Sequence, residues 1–468
     1  MASDHPVVRL GDYVDACLGK MLDAQKNRGE LHPYLGNSNV RWGSFELEEL
    51  ATMRFEDHEE ARYGIRDGDL IVCEGGEPGR CAIWRGNAPM KIQKALHRVR
   101  TKAGLDNYFL YYWFLRAGRA GELEPFFTGT TIKHLTGKAL AELRIPLPPI
   151  DLQREAARVL RSLDEKIDLN RRISQTLEAM AQAIFKSWFV DFEPVKAKIA
   201  AKTEGRDPLR AAMSVISGKA DAELNTLPPE AFEQLAATAA LFPEEMQESE
   251  LGEIPKGWLA SKIGNVTSRV AMGPFGSDIK KENFVDEGVP VIRGGNLTDG
   301  LVERNYVFIT ESKADELKNA NAFPDDIVIT HRGTLGQVGL IPSGSKFPRY
   351  VVSQSQMLLS VDKERMSSRY LFEFLRSEIG RRLLLSNTSQ VGVPAIARPT
   401  GSVKGIPLLV PQKTVLNAYD KLLAPLLGEL LHTTKSSETL VELRDTLLPK
   451  LLSGELPVEA IAESAGAA

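Results

Sequence analysis

Two long stretches of the chain carry seam positions alternately four and three residues apart, the spacing typical of a helix with one narrow apolar seam. The first comprises Leu163, Ile167, Asn170, Ser174, Leu177, Ala181, Ile184 and Trp188. The second comprises Leu423, Leu427, Leu430, Thr434, Ser437, Val441, Arg444, Leu448 and Leu451. The pattern predicts two long helices that form an antiparallel pair or simply bury one face against a core. Asp151 is the expected N-cap of the first helix, and Pro425 predicts a kink or restart in the second.

The chain also contains an internal duplication. A shift of 257 positions places the segment Asp67–Gly79 on Pro324–Gly336. In both copies a turn leads into a short β-branched strand and then into a loop punctuated by glycines. Further on, Ile145-Pro-Leu147 matches Ile406-Pro-Leu408 at a shift of 261, and each is followed by one of the long helical patterns. The order of these features predicts two related globular units.

These patterns define an expected domain order within a mixed α+β fold. Two globular domains, 1–148 and 258–410, are followed by helical spacers at 149–195 and 411–456. A linker of broken helices is expected at 196–257, where Ala, Glu and Pro are frequent, and a tail at 457–468. The whole is expected to be a pseudo-two-fold repeat joined by two long antiparallel helices.

Composition narrows the class of protein. The 468 residues carry a net charge of −4 and only three cysteines, without a CxxC pair. No stretch approaches 18 uncharged apolar residues, and the N-terminus lacks a secretory pattern, so we expect a cytoplasmic protein with no membrane contact and no metal. Charge is unevenly distributed, however. No acidic residue occurs between Glu77 and Asp106 or between Asp326 and Asp362, although both windows contain basic residues.

A search for catalytic motifs excludes the common ones. The chain has no GxxxxGK[ST] phosphate loop, no GxGxxG fingerprint, no Asn/Asp-Pro-Pro-aromatic tetrapeptide, and no HxxxH or HExxH pair. Asp151 with Asp164-Glu-Lys166 imitates a nuclease constellation but lies inside the helical pattern, which favours a solvated helix face. We therefore predict a non-catalytic protein without a cofactor, and a fused nuclease or methyltransferase is disfavoured.

Several segments, taken in order, resemble the specificity subunit of type I restriction-modification systems. In the first half and at its end these are Pro33-Tyr-Leu-Gly-Asn-Ser-Asn-Val-Arg-Trp-Gly43, Val72-Cys-Glu-Gly-Gly-Glu-Pro-Gly-Arg80, Gln93-Lys-Ala-Leu-His-Arg98, Ile145-Pro-Leu-Pro-Pro149, Leu163-Asp-Glu-Lys-Ile-Asp-Leu-Asn170 and Phe185-Lys-Ser-Trp-Phe-Val-Asp-Phe192. In the second half they are Glu250-Leu-Gly-Glu-Ile-Pro-Lys-Gly-Trp258, Gly273-Pro-Phe-Gly-Ser277, Val291-Ile-Arg-Gly-Gly-Asn296, His331-Arg-Gly-Thr-Leu-Gly336 and Ser353-Gln-Ser-Gln356.

The resemblance implies two target-recognition domains that each read one half of a bipartite double-stranded DNA sequence. It also implies that the helical spacers dock two modification subunits, which use S-adenosylmethionine to methylate adenine, and that ATP-dependent restriction subunits join them. The near-neutral charge suggests that these partners supply part of the grip on phosphates. The alternative is a two-domain adaptor that binds proteins and has no DNA specificity.

Residues suited to DNA contact follow from the chemistry of base edges and phosphates, for which Arg, Lys, Asn and Gln are the usual ligands. In the first half the candidates are Asn37, Asn39, Arg41, Trp42, Lys91, Lys94, His97, Arg98 and Lys133. In the second half they are Ser277, Lys280, Arg293, Asn296, His331, Arg332, Gln337, Gln354 and Gln356. For the two histidines, a hydrogen bond within the protein is the competing role.

Partner docking is expected on the exposed faces of the two long helices. The candidate residues are Arg171, Arg172, Phe185 and Trp188, although Trp188 fits the apolar seam equally well.

Overall fold

The computed structural model describes residues 5–21, 23, 27–86, 88–274, 276, 278–298, 300–389 and 392–456. Internal contacts divide the chain into two units. Unit 1 comprises Met1–Arg172 with Thr434–Ala468, and unit 2 comprises Ile173–Thr433. We call residues 5–148 of unit 1 the first repeat and residues 258–410 of unit 2 the second repeat. Both repeats mix helices and sheets, which confirms the predicted fold class.

The first repeat contains strands β1 Val7–Arg9, β2 Val14–Leu18, β3 Glu30–Leu35, β4 Val40–Arg41, β5 Ser44–Phe45, β6 Thr52–Phe55, β7 Gly64–Ile65, β8 Leu70–Cys73, β9 Cys81–Ile83, β10 Met90–Ile92, β11 Leu96–Thr101 and β12 Arg144–Pro146. Its helices are α1 Leu10–Tyr13, α2 Glu60–Tyr63, α3 Asn107–Arg119 and α4 Gly137–Glu142. Two sheets form, in the orders β2-β11-β8-β9 and β6-β3-β10-β7, and β1 pairs with β12.

Helix α3 supplies much of the apolar core beside the first of these sheets. It begins where Asp106 accepts hydrogen bonds from the amides of Tyr108 and Phe109, which satisfies donors that the first turn leaves free. Phe109 and Phe114 are fully buried, in one cluster with Leu70 and Val72 of β8 and with Cys81 and Ile83 of β9. The helix and this sheet therefore share the core from which the loops of the repeat extend.

Unit 2 begins within α5 Ile150–Phe189, and continues through a helical linker and the second repeat. The linker contains α6 Glu193–Thr203, α7 Pro208–Ser217, α8 Asp221–Leu224, α9 Pro229–Ala240, and strands β13 Met246–Ser249 and β14 Gly252–Pro255. The broken helices predicted here are present, but they are more than a bare spacer. Ala212, Met213, Leu224 and Ala239 form a buried cluster of their own.

The second repeat contains strands β15 Leu259–Lys262, β16 Thr267–Met272, β17 Phe284–Val285, β18 Val289–Ile292, β19 Val307–Ile309, β20 Asn321–Ala322, β21 Ile327–Thr330, β22 Val338–Leu340, β23 Tyr350–Val352, β24 Gln356–Val361, β25 Thr388–Ser389, β26 Ala395–Ile396 and β27 Pro407–Val410. Its helices are α10 Glu311–Glu316, α11 Ser368–Arg376, α12 Glu378–Leu385 and α13 Pro399–Lys404, and α14 Lys413–Ser453 follows.

The strand order of the second repeat reproduces that of the first. The sheet β16-β24-β21-β22 matches β2-β11-β8-β9, and β15 pairs with β27 as β1 does with β12. The remaining sheet, β17-β19-β18-β23-β20, keeps the parallel pair β18–β23 that corresponds to β3–β10. The internal duplication predicted from the sequence is therefore present in the topology.

The two long helices form where the spacing predicts them. Within unit 1 they run antiparallel, because Asp164 pairs with Arg444 while the later Asn170 bonds to the earlier Ser436. One detail of the prediction is wrong, because helix α5 begins at Ile150 and Asp151 lies inside its first turn. Helix α14 continues through Pro425, so of the predicted kink or restart the restart is absent. Pro425 is exposed, so the carbonyl group that it leaves unpaired is able to face solvent.

Candidate nucleic-acid interface

A short turn after the third strand of the first repeat is closed by an asparagine, and the second repeat has the same turn. Asn39 Oδ1 accepts from the amide of Gly36 at 2.9 Å, and Asn296 Oδ1 accepts from the amide of Arg293 at 3.0 Å. The Nδ2 groups bond to Glu46 O and Arg304 O at 3.1 and 2.8 Å. Both amides are thus used inside the protein, which contradicts their expected role as base readers.

The same turn is braced by a residue from the glycine loop. In the first repeat Arg80 Nη2 donates to Asn37 O at 3.1 Å. In the second repeat Gln337 occupies the matching position and donates to Gly294 O at 3.3 Å. Gln337 was a predicted DNA contact, and the structure uses it as a brace at the edge of a cleft. Arg80 was missed, although the shift of 257 places it on Gln337.

The second repeat has an open cleft of about 420 Å³ where several predicted residues meet. Arg293, Arg332 and Gln354 line it and are exposed, and Gln337 and Gln356 lie deeper. The sequence missed Thr334 and Ser355, which also line the cleft. Within the described residues, the guanidinium group of Arg293 makes one long hydrogen bond, to Asn305 O at 3.4 Å. Among the residues that the structure describes, Arg332 and Gln354 have no hydrogen bond or ion pair from their side chains, which leaves both groups available to a ligand.

The first repeat offers a smaller set of accessible groups. Lys94 is exposed and, within the described ranges, its ammonium group has no partner. Arg41 pairs with Glu46 at 2.7 Å, Trp42 Nε1 donates to Glu77 at 2.7 Å, and Lys133 lies 3.7 Å from Glu124. These are exposed or half-exposed pairs that contribute little stability, so a competing phosphate is able to replace them. Asn37 is half-buried and packs against Gly76.

Three residues of the first repeat that were expected to contact DNA are buried instead. Lys91 and Arg98 are each 3 % exposed and pair with Glu60 and Asp15. His97 is 1 % exposed, and its Nε2 bonds to Leu135 O at 2.8 Å. Burial lowers the pKa of Lys91 and of His97. The prediction of DNA contact is wrong for these side chains, because segments outside the acid-free window supply the carboxylates of Glu60 and Asp15 and the carbonyl group of Leu135.

The remaining residues of the second half divide in the same way. Gln356 is fully buried and its Nε2 donates to Thr330 Oγ1 at 3.2 Å, and buried His331 bonds to Gln354 O at 3.2 Å. Burial also lowers the pKa of His331. The prediction of DNA contact is therefore wrong for Gln356 and His331, whose side chains bond within the protein. Lys280 is exposed, 3.8 Å from Glu282. Ser277 lies outside the described residues.

The docking candidates also separate into exposed and buried residues. Arg171 and Arg172 are exposed on α5 in unit 1. In unit 2, Phe185 and Trp188 are 3 % and 1 % exposed. The ring of Trp188 lies 4.9 Å from that of Phe242 and 5.9 Å from that of Tyr419. Docking through these two aromatic side chains is therefore wrong, and Trp188 takes the alternative role in the core.

One group of side chains in the described part of the chain brings potential metal ligands together. Glu56, His58 and Glu59 lie close to one another in the first repeat. Glu59 is already engaged, because it accepts from the amide of Glu56 at 2.9 Å and from Lys20 at 2.5 Å. Burial would raise the pKa of Glu59, but the hydrogen bonds from Lys20 and from the Glu56 amide, together with the charge of Lys20, outweigh burial, and the pKa is lowered. Glu56 and Glu59 therefore form a capped turn, and Glu59 forms an ion pair with Lys20.

Two related sets of polar loops, one in each repeat, are typical of a binding protein. Comparison with known proteins shows which family the chain resembles. The family model described as the type I restriction modification DNA specificity domain matches residues 4–179. The HindI specificity subunit of Haemophilus influenzae is 30 % identical over 342 residues, covering 70 % of this chain and 72 % of the relative. The MjaIX specificity subunit of Methanocaldococcus jannaschii is 22 % identical, covering 84 % of this chain and 78 % of the relative.

Among solved structures, the type I restriction-modification S subunit of M. genitalium is 17 % identical, with a TM-score of 0.49 and 96 % of each chain covered. On the similarity to the HindI relative, the chain belongs to the family of type I restriction enzyme specificity subunits. It is the DNA-recognition subunit of such a complex, and the relatives named above give no support to the protein-binding adaptor. No helix within the described ranges has the length and apolar character needed to cross a membrane.

Proposed function

We propose that this chain reads a bipartite double-stranded DNA target, one half with residues 1–148 and the other with residues 258–410. The observation that carries the proposal is the repeated loop framework. The Asn39 turn and the Asn296 turn have the same internal bonds, while the accessible side chains beside them differ, as with Lys94 and Gln354. Two copies of one framework with different contact residues suit two different half-sites.

In this proposal the chain itself performs no chemistry. Residues 149–195 and 411–456 act as spacers that dock two modification subunits, which use S-adenosylmethionine to methylate adenine, and ATP-dependent restriction subunits join the complex. Residues 196–257 link the halves, 457–468 form a tail, and the complex works in the cytoplasm, where the DNA is. Arg171 and Arg172 support docking because both are exposed on α5. With a net charge of −4, the isolated chain depends on its partners for part of the phosphate grip, and tight salt-sensitive DNA binding by the chain alone would contradict this.

The test is co-expression with the modification subunit, followed by methylation-sensitive sequencing of the host DNA. We expect a split motif with methylated adenine in both halves that disappears when this chain is omitted. Replacing residues 258–360 with the corresponding segment of another specificity subunit should alter one half-site only. If a modification subunit that is active with another specificity chain gives no new methylation with this chain, the proposal fails. The alternative function, a two-domain adaptor that binds proteins, is then favoured.

Docking has its own test. Arg171→Glu with Arg172→Glu should weaken co-purification of the modification subunit, since both side chains are exposed on α5. A matched change of the exposed linker residue Lys219→Glu should leave co-purification intact. Equal assembly of both variants would remove the docking role of this face.

A further inference from the structure

Each repeat carries a small hairpin beside its glycine loop. In the first repeat Thr128 pairs with His134, and in the second Ser389 pairs with Ala395 at the same shift of 261. In each repeat the next residue along the chain, Leu135 or Ile396, donates a hydrogen bond to the residue that follows the strand leading into the glycine loop (β8 or β21). Leu135 N donates to Glu74 O at 2.7 Å, and Ile396 N donates to His331 O at 2.9 Å. The two hairpins are therefore equivalent parts of the duplicated framework.

The hairpins present equivalent aliphatic side chains to solvent. Ile132 is 64 % exposed and Val393 is 55 % exposed, and the shift of 261 that aligns the strands places one on the other. A single exposed aliphatic residue is ordinary on a protein surface. The same exposure at the same position of two diverged repeats is a stronger indication that the side chain has an external partner.

In the second repeat the hairpin lies against the rim of the cleft. The amide of Gly333 donates to Pro394 O at 2.9 Å, next to Val393. Gly333, Arg332 and Thr334 all line the cleft. The hairpin is thus fixed to the loop whose accessible side chains are the best candidates for DNA contact. In the first repeat the ring of His134 lies beside Gly75, at the position equivalent to Arg332.

The charge around the hairpins favours an anionic partner. No acidic residue occurs in 125–141, which contains Lys133 and Lys138, or in 379–419, which contains Arg381 and Arg398. The first of these segments is bounded by Glu142 and by Glu124, whose exposed carboxylate lies 3.7 Å from Lys133, and the second by Glu378 and Asp420. An apolar tip within a basic, acid-free segment matches a DNA groove, where an aliphatic side chain contacts the 5-methyl group of thymine and cations approach the phosphates.

We propose that Ile132 and Val393 are specificity-determining residues that each contact a thymine 5-methyl group, one in each half-site. The proposal rests on the proposed function, and it adds a readout by apolar contact to the polar residues considered above. A thymine is recognised by its methyl group, which cytosine lacks, so loss of the aliphatic side chain should reduce discrimination at one base pair only.

The experiment compares Ile132→Ala and Val393→Ala in the full complex with its modification subunits. Val7→Ala and Leu259→Ala are matched controls, because these residues are 62 % and 64 % exposed on the equivalent strands β1 and β15. In methylation sequencing we expect Ile132→Ala to lower the preference for thymine about fivefold at one position of the first half-site, and Val393→Ala to do so in the second. The controls should keep the original motif.

A second measurement uses oligonucleotides that carry the mapped target with single thymines replaced by deoxyuracil. One replacement should weaken binding of the unaltered complex about fivefold and leave the Ile132→Ala complex unaffected. Methylation by the unaltered complex combined with unchanged motifs in both variants would overturn this inference alone. Impaired assembly with an unchanged motif would assign the tips to a protein partner instead. Absence of methylation by the unaltered complex would contradict the proposed function itself.

Discussion

Both repeats have the same turn before a buried strand, β8 or β21, but they stabilise this turn with different side chains. Asp69 and Asp326 occupy matching positions, and each carboxylate accepts from the amide three residues earlier, at 2.9 Å in both repeats. In the first repeat Arg100 on β11 binds Asp69 through two nitrogens, at 2.7 and 3.0 Å. In the second, Arg269 on β16 reaches Asp326 with a single bond of 3.1 Å.

The difference separates what the framework needs from what it tolerates. Both repeats need a carboxylate at this turn because it holds the chain as it enters the buried strand. The position of the cation is free to change, and with it the strength of the pair. The same division holds nearer the surface, where asparagine is kept at the turn while Arg80 and Gln337 exchange as braces. Residues that differ at equivalent exposed positions are then the ones available to distinguish two half-sites.

The largest expected effect tests this asymmetry directly. Asp69→Ala should cost about 3–4 kcal/mol of unfolding free energy, since it leaves Arg100 without its bidentate partner, and Asp326→Ala should cost about 2 kcal/mol. Denaturant unfolding of the full chain, followed separately for each transition, gives the two values. Surface pairs provide controls: Asp12→Ala and Asp315→Ala, whose side chains are 60 % and 67 % exposed, should change stability by less than about 0.5 kcal/mol. Equal losses at Asp69 and Asp326 would remove the proposed asymmetry.

The asparagine turns should show a smaller, shared effect. We expect Asn296→Ala to cost about 2 kcal/mol and Asn39→Ala about 1 kcal/mol, because Asn296 is the more deeply buried and its loss leaves backbone groups unpaired. The same unfolding measurement applies, with the exposed neighbours Thr298→Ala and Ser38→Ala as controls. Stability unchanged by either asparagine substitution, combined with an altered DNA motif, would restore these residues as base readers.

Lys94 and Gln354, exposed residues at equivalent positions of the two repeats, should affect DNA recognition and leave stability unchanged. Lys94→Gln and Gln354→Lys exchange the side chains of the two repeats at the loops before β11 and β24. Each should alter its own half-site with a discrimination change of about 1 kcal/mol, as expected for one altered base contact, whereas a lost phosphate contact would weaken binding to all sequences alike. Methylation sequencing measures the motif, and thermal unfolding checks that the fold is kept. A Gln354→Lys complex that methylates the unchanged motif would exclude this position from recognition.

The buried histidines predict the smallest effect. Burial lowers the pKa of His97 and of His331, so the folded chain holds them neutral while the unfolded chain takes up protons near pH 6.5. Their contribution is therefore fully present above pH 6.5 and decreases as the pH falls through the unfolded-state value. The unfolding temperature should drop between pH 7.5 and 5.5, and His97→Gln should reduce that drop for unit 1. The exposed His58→Gln serves as the control, and an unchanged pH dependence in His97→Gln would contradict the assignment.

The sequence predicted the local features of the fold well. The four-three spacing located α5 and α14, and the shift of 257 located β8 and β21 together with the glycine loops that follow them. At those loops Gly76 and Gly333 adopt φ angles of 73° and 92°, a left-handed conformation that other residues rarely accept. Hydrogen bonding within the protein was also foreseen for the two histidines. The partners of the histidines lie 38 and 23 positions away, but the other features depend on neighbours within a few positions.

Accessibility of the candidate site was decided by the tertiary structure. Lys91 and Arg98 are as basic in sequence as Lys94, yet their neutralising carboxylates come from Glu60 and Asp15, 31 and 83 positions away. The aromatic residues of α5 are enclosed by Phe242 and Tyr419, which the helical spacing could not indicate. Periodicity and turn chemistry are set by adjacent residues, so the sequence alone determines them. Burial and charge pairing depend on segments brought together only when the chain folds, because a strand's neighbours in a sheet are not its neighbours along the chain.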